Sequence, residues 1–283
     1  MMNRRTFQCA IPAMVLAAAM MLTGCSDNNE KTATNAAQSQ DLLEQIKTKG
    51  EVVIATEGTW SPWTYHDESG KLTGYDIEIG RLIADRLGVK AHFVEGKWDG
   101  LLAGISAGRY DIMINGVDVT PERQKAYSFS QPYAYNKTVV VVSESNTTIH
   151  SMQDLKDKKT ANTISSTYAE VGERYGAKVS GVDDLNQTFE LLLSNRIDAT
   201  LNAEVVYYDY KRVHPTAPIK IAAIDDNVTS VAIAMKKTEQ RNFRLKLIES
   251  LAIWPRAENS RNFPNTFSVP IFQKNKNSLR LMS

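Results

Sequence analysis

The run GYDIEIGRLIADRLGVKAHFV, residues 74–94, sets the fold class. Ile79, Leu82, Ile83 and Leu87 recur at helical spacing, with Asp76 placed to cap the first turn and Gly88 to stop the last. Immediately after that stop, residues 89–94 read as a strand. Upstream, Val52-Val53-Ile54-Ala55 is a short, fully apolar run of the kind that makes a buried strand. Downstream, residues 101–107 read as a helix stopped by Gly108, and 112–114 as another strand. Strand and helix in alternation predict α/β layers joined by crossover connections.

The alternation resumes after a loop. Residues 138–142 are a β-branched run and 159–163 a weaker strand, followed by a helix over 168–175. Leucines at helical spacing mark 185–195, and 199–201 is a short strand. Residues 204–213 form a tyrosine-rich helical stretch, 231–235 a strand, and 243–251 a final amphipathic helix. Two α/β units of roughly a hundred residues each fit this string, and a cleft between two such lobes is a natural place for a small ligand.

Composition narrows the function classes. Lysine plus arginine number 33 against 32 acidic residues, with no long basic run, so neither a nucleic-acid footprint nor a membrane-binding stripe is present. Arg4 and Arg5 precede an apolar stretch over 10–22, too short to span a bilayer and suited to the core of a signal peptide. The stretch ends in Leu22-Thr23-Gly24-Cys25 and turns abruptly polar. Removal of residues 1–24 takes away Cys9 and leaves Cys25 alone, so no intramolecular disulfide can form. Residues 26–40, rich in Asn, Thr, Ala, Gln and Ser, read as a flexible tether. The four histidines show no metal-ligand spacing, and neither a nucleotide-binding glycine loop nor a Gly-x-Ser-x-Gly elbow is found. No cofactor is expected.

Several segments carry a resemblance, in order along the chain. Glu57-Gly58-Thr59-Trp60-Ser61-Pro62-Trp63 is followed by Gly70-Lys71-Leu72-Thr73-Gly74-Tyr75-Asp76, Trp98-Asp99-Gly100-Leu101-Leu102 and Gly108-Arg109-Tyr110-Asp111. Val119-Thr120-Pro121-Glu122-Arg123 and Phe129-Ser130-Gln131-Pro132-Tyr133 complete the series. Together they resemble the bacterial extracellular solute-binding proteins for polar amino acids, the binding components of ABC importers, and most of all the cystine-binding branch. The N-terminal pattern likewise resembles a bacterial lipobox, which implies lipid on Cys25 and cleavage before it; an ordinary signal peptide is the alternative.

The resemblance implies a two-lobed periplasmic-binding-protein fold of type II, closing over its ligand by a hinge motion. On this sequence it implies a lipoprotein signal at 1–24, a tether at 25–40, lobe 1 at 41–137, lobe 2 at 138–226 and a return to lobe 1 at 227–283. The hinges fall near 137–138 and 226–227. After about residue 252 the chain leaves the family's pattern, as a frame-shifted coding stretch would. The implied partners are a polar amino acid, cystine or a relative, a transporter permease and a membrane reached through the lipid, with the protein a monomer on the outer face of that membrane.

The ligand-binding residues expected are Glu57, Trp60, Trp98, Gly116, Asp118, Arg123, Ser165, Ser166, Thr167 and Asn202. Arg123 offers parallel N–H donors to a carboxylate; alternatively Thr120 and Pro121 make a plain helix start with Arg123 on its solvated face. Trp60 and Trp98 are placed as aromatic walls or, on the plainer reading, as core, and Trp63 and Tyr65 are assigned to packing. Gly116 would let backbone donors approach a ligand. Glu57 either faces the ligand or caps a surface turn. Ser165-Ser166-Thr167 replaces the family's glycine-threonine loop, and hydroxyls there can still receive a carboxylate. The family's acid for the ligand ammonium is here Ala203, while Asp118 stands where many members have threonine. Asp118, helped by Asn202 or Glu204, is therefore expected to take over the ammonium. Two other function classes stand beside transport: an exported dehydratase-like enzyme drafting Asp118 or Glu57 as its acid, and a surface sensor or adhesin.

Overall fold

The computed structural model describes residues 41–237 and 241–252. The expected signal peptide, the Cys25 lipidation site, the tether and the segment after 252 lie outside those residues.

Asp41 accepts a hydrogen bond from the Leu43 amide and so starts α1 (Leu42–Lys49). The first lobe continues through β1 (Glu51–Thr56), the small antiparallel strands β2 (Thr59–Trp60), β3 (Thr64–His66) and β4 (Leu72–Thr73), then α2 (Tyr75–Leu87) and β5 (Lys90–Glu95). It is completed by α3 (Trp98–Ser106), β6 (Ile112–Met113), α4 (Pro121–Ala126) and β7 (Tyr127–Phe129). The chain then crosses on β8 (Ala134–Ser143) and builds β9 (Lys159–Asn162), α5 (Thr167–Arg174), β10 (Lys178–Gly181), α6 (Leu185–Leu193), β11 (Thr200–Ala203) and α7 (Glu204–Val213). It returns on the long β12 (Ile219–Val231) to β13 (Ala234–Lys236) and α8 (Arg241–Ala252).

The first sheet has the order β5-β1-β6-β13-β7, with β5, β1 and β6 parallel and β13 antiparallel to both its neighbours. The second lobe repeats that plan. β10 and β9 are parallel, a single Thr160–Ala199 bridge joins β9 to the start of β11, and β8 and β12 complete the order antiparallel. Each sheet is covered on both faces, which is why its central strands read as continuous apolar runs. In the first lobe Ile54, Ile112 and Ile114 pack with Ile79 and Ile83 of α2 and Phe243 of α8, while Ala55 and Met113 pack with Leu101 and Ile105 of α3. In the second, Val139 and Val141 of β8 face Phe189 and Leu192 of α6. Val140 and Val142 face the opposite way, into a cluster with Leu201, Val205 and Val206.

Several details differ from the sequence reading. Asp76 does not cap α2: Gly74 holds the cap position, and the Asp76 carboxylate is fully buried inside the first turn. The helix expected from 101 begins at Trp98, and the strand expected over 231–235 is the end of β12 followed by a separate β13. The expected hinge positions fall on the two crossing strands. Lys137 pairs with Val228, and the register shifts between Ile224 and Val228, so Asp226 and Asn227 lie in the irregularity. The lower ends of these strands enter the first lobe, where Tyr133 and Val119 bond to the backbone of Val231 and Ser230.

Candidate functional site

A cleft of about 570 Å³, counted to its open mouth, lies between the lobes. Each expected ligand-binding residue lines it except Ser165. Ser165 directs its hydroxyl to the Asp99 carboxylate and its carbonyl to Arg123, so it ties the lobes together beside the cleft.

The helix start expected at Thr120 and Pro121 is present, but Arg123 does not lie on a solvated face. Thr120 Oγ1 accepts from the Arg123 amide at 3.1 Å with Pro121 at the first helical position, as a plain helix start requires. The side chain is nevertheless buried, 9% exposed. Nη1 donates to the Asp118 carbonyl at 3.1 Å, Nη2 to the Ser165 carbonyl at 3.2 Å, and the guanidinium carbon sits 5.0 Å from the centre of the Trp98 ring. Burial draws the Arg123 pKa downward, opposed by the nearby Asp118 charge. Trp98 thus acts as a platform for the cation as well as lining the cleft.

Asp118, 3% exposed, joins three elements. One carboxylate oxygen accepts from Thr229 of β12 at 2.8 Å, the other from Thr167 at the start of α5 in the second lobe. Burial raises its pKa, while the Thr167 and Thr229 hydroxyls and Arg123 pull it back. A carboxylate oxygen can accept more than one donor, so a ligand ammonium could join the hydroxyls already there. Ala203, where the family's acid was expected, is fully buried at the end of β11. Asn202 lines the cleft and Glu204 is not among the lining residues. Ser166 caps α5 by accepting from the Ala169 amide at 3.1 Å, which turns the N-terminal end of that helix toward the cleft.

Gly116 has a different duty from the one expected. Its amide donates to the buried Asp76 carboxylate, whose other oxygen accepts from Tyr133 Oη at 2.9 Å. That amide therefore points inward. Burial pushes the Asp76 pKa up to about 7, against the two hydrogen bonds that lower it. Glycine is needed for space: its φ is +55°, and a Cβ would lie 2.5 Å from the Trp60 ring. Trp60 leans over Gly116, 6.0 Å from Trp63 and 6.2 Å, edge-on, from Tyr168 of the second lobe. Trp63 is core, as read from the sequence, whereas Tyr65 is only half-buried.

Glu57 faces the cleft from the end of β1. Asn115 Nδ2 donates to it at 2.6 Å, but burial, with Asp184 and Asp99 nearby, raises its pKa to about 7. Asp184 and Thr188, at the start of α6, line the same end of the cleft, and sequence reasoning missed both. Asp184 was visible as an aspartate before a helix, and it does cap α6 by accepting from the Gln187 amide. That it also confronts Glu57 depends on how the lobes meet. Among the described residues no group of His, Cys, Asp or Glu could hold a metal ion.

Residues 52–280 match the family described as bacterial extracellular solute-binding proteins, family 3. The chain belongs to this family. The matched span runs past residue 252, where the sequence was read as leaving the family's pattern. A probable amino-acid ABC transporter-binding protein of Haemophilus influenzae is 39% identical over 208 residues, 74% of this chain and 80% of that protein. The L-cystine-binding protein TcyA of Bacillus subtilis is 37% identical over 71% of this chain and 75% of its own. Among solved structures, an ancestral arginine-binding protein bound to arginine superposes with a TM-score of 0.70 at 31% identity, covering 76% of this chain and 99% of that one. These relatives are amino-acid-binding proteins, and membership places this chain among extracellular solute-binding proteins.

Proposed function

We propose that this protein captures an amino acid between its lobes and delivers it to an ABC importer, with the ligand drawn from those carrying a second cationic group, cystine or a basic amino acid. One observation carries the reading. A buried guanidinium, Arg123, and a buried carboxylate, Asp118, of the first lobe meet the N-terminal end of α5 from the second lobe inside one cleft. Such a set complements an α-carboxylate and an α-ammonium held a fixed distance apart. The α-carboxylate goes to Arg123 with the Ser166 and Thr167 end of α5, the ammonium to Asp118 and Asn202, and the side chain against Trp60. Glu57, Asp118 and Asp184 share the cleft with a single guanidinium, Arg123, which favours a ligand carrying a second cationic group, as cystine and the basic amino acids do. The relatives that bind cystine and arginine support the same class.

Calorimetry with L-cystine, L-arginine and L-glutamine, alongside a turnover assay with prephenate, tests the reading. Saturable binding of an amino acid without turnover is the expected result; conversion of prephenate replaces transport with the dehydratase. The second cationic group predicts a pH effect of definite sign. Glu57, with its pKa near 7, must ionise to hold a cation, so it attracts one above that pH and loses it below. Between pH 8 and 6 the ionised fraction falls about tenfold, and the affinity ratio of L-arginine to L-glutamine should fall with it. A ratio that is flat across that range removes Glu57 from the site.

Export and lipid attachment belong to the same proposal. Mass spectrometry of the membrane fraction should find Cys25 acylated and N-terminal, with the protein released into solution in Cys25→Ala. An unmodified, soluble mature chain would end that part of it.

A further inference from the structure

The lobes also touch just outside the ligand cleft, through Ser61 and Trp63. Trp63, 1% exposed, belongs to the first lobe by sequence yet packs in one cluster with Val140, Leu201, Val205 and Val206 of the second. Between it and Trp60, Ser61 Oγ donates to Asp209 Oδ2 at 2.6 Å. Asp209 lies on α7 and is 4% exposed. Its other oxygen accepts from Arg212 Nε at 3.2 Å and Nη2 at 2.8 Å, and Tyr65 of β3 lies close enough to feel both charges. The contact at the α3 side is of another kind. Lys97 and Asp183 pair at 2.6 Å, but both are largely exposed, and such pairs contribute little in salt.

We infer that Ser61 and Trp63 form a clamp between the lobes, pinned by the Ser61–Asp209 hydrogen bond, that holds part of the ligand-free population closed and so sets affinity although neither Ser61, Trp63 nor Asp209 lines the cleft. Opening the lobes breaks a hydrogen bond to a charged group and wets Trp63. Closure re-forms both, whatever occupies the cleft. Because a ligand that needs the closed form binds in proportion to the fraction already closed, loosening the pin raises the apparent dissociation constant. Asp209 is in this sense a positioning residue: it fixes Ser61, and through it the Trp60 wall, against the second lobe. A bond to a charged partner of this kind shifts the open–closed ratio by about tenfold.

Ser61→Ala, Asp209→Asn and the double variant test this on the full mature chain, by small-angle scattering without ligand and by stopped-flow dissociation of L-cystine. Ser61→Ala should enlarge the ligand-free radius of gyration and speed L-cystine release about tenfold, with no slower association. The double variant should release no faster than Asp209→Asn, since the two residues act through one bond. A role confined to stability would lower the melting temperature and leave release unchanged. Should Asp209→Asn fail to fold, Ser61→Ala alone decides, because it leaves Asp209 paired with Arg212. L-cystine release within twofold of wild type in Ser61→Ala overturns the clamp. If L-cystine does not bind, L-arginine replaces it in the release measurement; if neither binds, the proposed function fails separately, and an unchanged ligand-free scattering radius in Ser61→Ala then overturns the clamp.

Discussion

Arg123→Ala should weaken L-cystine binding by about a thousandfold, roughly 4 kcal/mol. Two losses add to reach that size. The ligand carboxylate, desolvated in the cleft, forfeits charge-assisted hydrogen bonds of about 1.5–3 kcal/mol each. The Ser165 carbonyl of the second lobe also loses its donor at 3.2 Å, so closure itself is weakened. The variant further leaves Asp118 buried without its neighbouring cation, which predicts a lower melting temperature in the ligand-free protein. Arg123→Lys restores charge but not the planar fork that lies on Trp98 and reaches two carbonyls, so it should recover only part of the affinity. Calorimetry on the three proteins gives the comparison. Affinity for L-cystine undiminished in Arg123→Ala would remove the carboxylate from this residue.

How much of this was legible depended on the range of the interactions. The helix at 204–213 was read to the residue, because its period and its flanking strand are local signals. Arg123, Trp60 and Asp118, which line the cleft, were singled out because they sit in or beside short wordings shared by the family. Asp76 was misread for a physical reason. Aspartate ahead of an apolar helical pattern usually caps it, and nothing nearby in sequence shows that Gly116 and Tyr133, forty and fifty-seven residues away, converge on that carboxylate. Gly116 was singled out for the wrong benefit. Room beneath an indole and an amide facing the ligand both require glycine, and only the placement of Trp60 separates them.

Contacts made by closure were the least legible. Asp209, Asp184 and Thr188 carry no motif, Ser61 sits in a family segment that gives it no role, and the meaning of all four comes from which lobe they face. α7 was recognised as tyrosine-rich, yet the residue on it that reaches the other lobe is Asp209. The same limit explains Glu57, expected in the cleft but with a capping or surface role also readable. The structure puts it beside Asp184 and Asp99 with its pKa near 7. Burial opposes the charge of an acid so placed, and under the proposed function a second cationic group on the ligand would favour it, so that Glu57 would discriminate among amino acids that share one α-carboxylate and one α-ammonium.

The second large effect is expected at Asp118, and it separates two roles the geometry allows. If the carboxylate receives the ligand ammonium, Asp118→Asn removes a buried charge partner and should cost L-cystine and L-arginine about a hundredfold in affinity, some 3 kcal/mol. If it serves only to join Thr167 of the second lobe to Thr229 of β12, asparagine can still accept from one hydroxyl, and a reoriented hydroxyl can accept from its amide. The cost would then be smaller and the same for every ligand that closes the lobes. The discriminating probe is a carboxylate without an ammonium. Phenylpropionate and L-phenylalanine share a ring and a carboxylate, and only the second carries the α-ammonium. Asp118→Asn should weaken L-phenylalanine and leave phenylpropionate unchanged or tighter, because the latter no longer meets an uncompensated acid. Equal loss for both ligands would make Asp118 a closure residue and return the ammonium to Asn202 and the carbonyls around it.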